Sequence, residues 1–311
     1  MARRGTNCPK PRDVMEEFLF ELPPQDLTRA ERKFRQLDHP IWTESKANLI
    51  ERYLCYFVYI TKHGTYIDAF AGPQRTDRHE MWAAKLVIES RPRWFRNFHL
   101  FEIDKAKVET LRRMCGEQSP PDRKRGEPNR FFNIVPGDFN KNIHDELAKY
   151  PIKETEAAFC LLDQRTFECD WASVEVIARH KRAGNKVELF YFLPNAWLDR
   201  SAAALGEQDE AMRKWWGDSD WKELLKLRGM ERAQYACTRF KRQLGYRYVY
   251  PFPIYERKDG GKKMFFMIHA SDHEQATPLM YRAYGRALGV KENAEQLQLL
   301  AVSVQNQSVQ N

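Results

Sequence analysis

Several motifs are missing from this chain, and their absence narrows its chemistry before any residue is given a role. No GxGxxG run follows a strand-like segment, which counts against a dinucleotide cofactor. No two of the six cysteines have CxxC spacing and the eight histidines show no ligand spacing, so neither a metal site nor a redox pair is expected. The longest apolar runs are strand-sized, well short of the roughly 20 residues a membrane helix needs, so no membrane partner is expected. MARRGTNCPKP carries early positive charge with no apolar stretch behind it, which argues against a signal peptide. Scattered free thiols suit a reducing compartment, and the cytoplasm is the expected location.

What is present is enough for a large core. Hydrophobic residues make up 42% of the 311 and aromatics 13%, which fits one large α/β domain with insertions. Lys and Arg exceed Asp and Glu by eight, a lean toward an anionic partner such as RNA or DNA.

Residues 1–38 are polar and read as an N-terminal arm, and 291–311 as a disordered tail. SKANLIERYLCYFVYITK repeats apolar residues at helical spacing, with Thr43 as a possible cap. Strands are predicted at 65–70, 98–103, 131–138, 157–163 and 186–194. Helices are predicted at 82–89, 104–115, 140–149, 172–181 and 274–288. This alternation predicts βαβ units and a mostly parallel sheet covered on both faces. Two further runs flank Asp259-Gly260-Gly261, a hairpin expected to close one sheet edge. Residues 39–194 and 244–290 form the expected main domain, and 195–243 a helical insertion with Trp197, Trp215, Trp216 and Trp221.

Sites in such sheets lie at the carboxyl ends of the strands. Four polar features fall there. Asp68-Ala69-Phe70-Ala71-Gly72 offers an acid for a ligand amine, and Gly72 lets the backbone come close. Glu102 ends the second strand, where a carboxylate accepts both hydroxyls of a ribose, while Asp104 suits a helix cap. Asp138 is placed for an adenine amine and Phe139 for stacking on its ring. Asp163, with Gln164, Arg165 and Phe167 after it, follows a strand too apolar to bury an acid without a partner.

At this point the chain resembles the class I S-adenosylmethionine (SAM)-dependent methyltransferases, and more closely the three-Cys-motif partner (TcmP) family. HPIWTESKANLIERYL, YIDAFAGP, LFEID, GDFN, FCLLDQRTFECDWASVEVIA and ELFYFLPNAWLDR carry the resemblance. It implies a Rossmann-like methyltransferase sheet that binds SAM and a functional link to a radical-SAM-like protein bearing three cysteines. It also implies that Asp68 lies near the methionine amine, Glu102 holds ribose and Asp138 faces adenine. Phe70-x-Gly72 resembles the FxGxG of amino-methyltransferases, whose DPPY-type motif meets the target amine. Asp163 matches that motif's acid. Gln164 and Arg165 stand where its prolines would, and Phe167 supplies the ring after a shift of one residue.

The leading expectation is therefore a SAM-dependent methyltransferase acting on nucleic acid or a modified base, with Asp163, Gln164, Arg165 and Phe167 facing the acceptor. The rival is an adaptor that keeps the fold and transfers no methyl group. Lys46 is expected to be an exposed helix lysine, with contact to an anionic group as the alternative, and Trp171 to pack its helix onto the sheet. Arg112, Arg113, Arg123, Lys124, Arg125 and Arg130 surround a loop expected to form a phosphate-binding rim or a solvated charge run.

Overall fold

A computed structural model describes residues 46–74, 78–201, 209–257 and 260–287. The arm, the tail, Thr43 and the turn residue Asp259 lie outside these residues. Seven strands form one sheet: β1 (Gly64–Asp68), β2 (Phe95–Glu102), β3 (Phe131–Pro136), β4 (Ala158–Leu162), β5 (Glu188–Leu193), β6 (Tyr248–Arg257) and β7 (Gly260–Ser271). Their order is β3-β2-β1-β4-β5-β7-β6. β7 runs antiparallel to both β5 and β6, and the other pairings are parallel. The hairpin closes one edge as expected, but β6 is its outer strand and is parallel to the rest. This is the Rossmann-like class I methyltransferase sheet, of the α/β class.

The pleat sends alternate residues to opposite faces, and both faces are dry. On β4, Ala158, Cys160 and Leu162 point to one layer and Phe159 and Leu161 to the other. The first layer contains α4 (Phe139–Lys149), α5 (Trp171–Ala178), α7 (Asp209–Trp216) and α9 (Gly229–Leu244). The second contains α1 (Lys46–Thr61), α2 (Ala83–Glu89), α3 (Lys105–Gly116) and α10 (Ala276–Ala287). Two short helices, α6 (Asn195–Ser201) and α8 (Glu223–Lys226), complete the β5-to-β6 crossover.

The described residues of the segment 195–243, namely 195–201 and 209–243, are mostly helical and contribute to the core. Trp215, Trp216 and Trp221 are buried in the first layer, so these rings are core rather than stacking platforms for a base. Two of its cations turn inward too. Arg239 lies 4.6 Å from both the Trp171 and Trp216 rings, and the fully buried Arg232 donates to the carbonyls of Leu224, Asn195 and Leu227. Trp171 packs as expected, edge-on to Phe240.

Candidate active site

The carboxyl ends of β1 and β2 are joined through one carboxylate. Glu102 accepts the Gly72 N–H on Oε2 at 3.0 Å and the Asp104 N–H on Oε1 at 2.8 Å. Trp82 donates from Nε1 to the Ala71 carbonyl at 2.6 Å, and the Ala71 N–H donates to the Phe101 carbonyl at 2.8 Å. The loop after β1 is thus drawn onto the end of β2. A Cβ at position 72 would lie 2.0 Å from Glu102 Oε2, so only glycine fits this approach. Asp104 caps α3 as expected, accepting from Lys107.

Asp68 is 2% exposed and accepts from the Tyr66 hydroxyl at 2.8 Å and the Phe70 N–H at 3.1 Å. Burial pushes its carboxyl up to about 7; these two bonds work against the rise, and the nearby Asp163 and Glu102 add to it. The half-buried Phe70 packs on the first layer.

The remaining expected residues divide into those facing the site and those serving the scaffold. Asp138 caps α4, accepting from the Asn140 N–H at 2.9 Å, and stays partly exposed. Phe139 is 3% exposed and edge-on to Phe101, so the ring offered to adenine is core. Gln164 is buried, donating to the Phe192 carbonyl at 3.1 Å and accepting the Cys169 N–H at 3.1 Å. It fastens the loop after β4 to β5. Arg165 is exposed, and Phe167 packs against Trp215 with ring centroids 4.8 Å apart. Among Asp163, Gln164, Arg165 and Phe167, Asp163 is the one whose charge is felt at Asp68.

Lys46 corrects the expectation of an exposed lysine. It is 4% exposed and its ammonium lies 2.6 Å from Asp163 Oδ1, within 5.1 Å and 5.4 Å of the Phe192 and Phe265 ring centres. Gln74 donates to the other oxygen of Asp163 at 3.4 Å. The signal was in the helix: Lys46 begins the stripe that continues through Leu49, Ile50 and Tyr53, all buried.

The basic loop lies elsewhere. α3 returns the chain from the carboxyl end of β2 to the amino end of β3, so residues 117–130 occupy the opposite edge of the sheet. A cavity of about 330 Å³ also opens at that edge, lined by Tyr53, Glu156, Glu188 and Ser271 among others. Among the described residues no group of His, Cys, Asp and Glu is arranged to hold a metal ion, and no helix is long and apolar enough to cross a membrane.

No family model and no curated protein matches the chain. Two solved structures resemble it loosely. A cofactor-bound protein from MTB is 12% identical, with 85% of this chain and 97% of that chain covered and a TM-score of 0.39. A putative O-methyltransferase from Klebsiella pneumoniae is 10% identical, with 83% and 94% covered and a TM-score of 0.37. Superpositions this loose add nothing to the strand order, on which the fold rests.

Proposed function

We propose that the protein is a SAM-dependent methyltransferase whose cofactor lies across the carboxyl ends of β1, β2 and β3. The observation that carries this reading is the Gly72–Glu102 contact, a side-chain-free loop pressed against a buried carboxylate at the end of β2, in a sheet of order 3-2-1-4-5-7-6. A carboxylate has about four acceptor positions, and the two backbone N–H groups use two of Glu102's. Two remain for the hydroxyls of a ribose. Asp68 suits the ammonium of the methionine moiety, and Asp138 has acceptor capacity left for an adenine amine.

The cofactor supplies an electrophilic methyl group; the chain supplies position. Asp163, fixed by Lys46 and Gln74 at the mouth of β4, orients the acceptor. Nucleic acid or a modified base is the proposed acceptor, and a radical-SAM-like three-Cys protein the proposed partner; the sequence resemblance supports the latter.

The adaptor reading has its own support. Lys46 already occupies Asp163, and Gln164 is committed to the backbone. Calorimetry with SAM and its demethylated product, followed by transfer of radiolabel from SAM to RNA or DNA, separates the two. Binding near micromolar affinity, roughly −8 kcal/mol, together with transfer supports the enzyme. Binding without transfer supports the adaptor, and folded protein that binds neither compound overturns both uses of the site.

A further inference from the structure

We propose that Arg93 and Arg130 form a phosphate-binding site at the amino edge of β2 and β3, on the side of the sheet opposite the candidate active site. Arg93 lies two residues before β2 and Arg130 immediately before β3, and these strands are neighbours with Asn97 beside Phe131. The two side chains are near enough for the charge of Arg93 to act on Arg130.

Arg130 is rigidly placed. Its guanidinium carbon is 4.8 Å and 4.9 Å from the Phe98 and Phe132 ring centres, and Nη2 donates to the Ile88 carbonyl at 2.7 Å. Its Nε and Nη1 are buried with no hydrogen-bond partner, and so are Nε and Nη1 of Arg93. Four buried donors on two cations thus lack an acceptor, a costly arrangement unless something supplies one. The adjacent acid does not. Glu127 is paired with Arg91 and accepts the Asp122 N–H at 3.3 Å. Burial, then repulsion from Arg93, lowers the Arg130 pKa to about 10.

The missing partner is an oxyanion of high charge. A tetrahedral phosphate offers several acceptor oxygens to donors that point in different directions, and it carries enough charge to answer two cations at once. Arg93 is partly exposed and offers a route from solvent. Arg123, Lys124 and Arg125 form an exposed 3₁₀ turn on the loop just before Arg130, and Arg125 pairs with Asp122. They make a cationic approach to the site. β2 has eight residues, so roughly 23 Å separates this site from the carboxyl edge, and the inference does not depend on methyl transfer.

Thermal unfolding of the full chain in inorganic phosphate against chloride at matched ionic strength tests the site. At 10 mM phosphate the wild type should gain on the order of 2–4 °C. Arg93→Gln should show no such gain, and in chloride it should melt no lower than wild type, because it removes uncompensated charge. Arg93→Lys keeps the charge without the fork, and should lose most of the gain. No phosphate effect on wild type, an equal effect on Arg93→Gln, or loss of the effect only on reversing the exposed Arg123, Lys124 and Arg125 to Glu would overturn the site. A fluorescent 12-nucleotide single-stranded RNA identifies the source of the phosphate. Arg93→Gln weakening RNA binding tenfold or more assigns the site to a strand phosphate. Unchanged RNA binding beside a lost phosphate effect assigns it to a free phosphate or small phosphate ester.

Discussion

Glu102 carries two roles whose demands agree. Its oxygens hold the β1 loop and the start of α3 through backbone N–H groups, and the same bonds aim the carboxylate along the sheet edge. Under the methyltransferase reading, Glu102→Ala should weaken SAM binding by about 1–3 kcal/mol in calorimetry, the usual cost of losing hydrogen bonds to a charged group. Asp68 gives a pH signature. Its folded pKa, near 7, lies above the ordinary carboxylate value of 3.8, so the folded state holds this proton more tightly than the unfolded state. The contribution is fully present below about pH 4 and is lost as pH rises through 7. Wild type should therefore lose stability relative to Asp68→Asn between pH 5 and pH 8, measured by urea unfolding of both proteins. A constant difference across that range would show that Asp68 does not titrate there. The positions of these acids at strand ends were readable from the sequence because an acid after an apolar run has few other places to go. Which way Phe139 points was not readable: it depends on α4 beginning one residue after Asp138, which turns the ring into the core.

A buried ion pair ties the start of α1 to the residue that follows β4. The Lys46–Asp163 pair joins residues 117 apart in sequence inside an aromatic enclosure. Breaking one side of a buried pair strands the other charge, so Lys46→Met should destabilise the protein by about 3–5 kcal/mol. Lys46→Met combined with Asp163→Leu should recover most of that loss, because an apolar replacement removes both desolvated charges. Denaturant midpoints of the single and double variants check this, and additive losses would count against a direct pair. Asp163→Asn keeps an acceptor for Lys46 but leaves its charge uncompensated, so function is compared on the folded fraction of the variant. It should retain SAM affinity while losing most methyl transfer in the radiolabel assay, and unchanged transfer would leave Asp163 a brace only. The strands and the helix α1 follow from hydrophobic periodicity. The partner of Lys46 does not, since no local pattern pairs residues across a βαβαβαβ span. The loop after β4 shows the same limit. Gln164 looks like a site residue by position, yet the phase of the strand turns its amide toward β5.

At the scale of the molecule, the sheet separates two chemistries. Carboxylates gather at its carboxyl edge and arginines at the amino edge of β2 and β3. The basic loop and the acids flank the same helices, which in sequence alone suggests one face. Chain direction decides otherwise: in a parallel sheet each returning helix delivers the following loop to the far edge. The helices between β5 and β6 were legible in the sequence; the burial of their tryptophans was not. Four tryptophans between two strands suggest an added surface, but a crossover that must cover β5 and β7 needs bulk, and Trp215, Trp216 and Trp221 supply it.

The strand order also has a consequence for synthesis. β7 is the last strand in the chain, yet it sits between β5 and β6. While the ribosome is still making residues before Gly260, β5 has its β4 neighbour but an open ladder on its other side, and β6 has no strand partner among the described residues. An apolar strand with an unpaired edge readily recruits another chain. The nascent protein thus carries an unfinished seam from the synthesis of β5 until β7 is made, and any pause or truncation ahead of the closing hairpin leaves that seam exposed to chaperones, proteases and neighbouring copies.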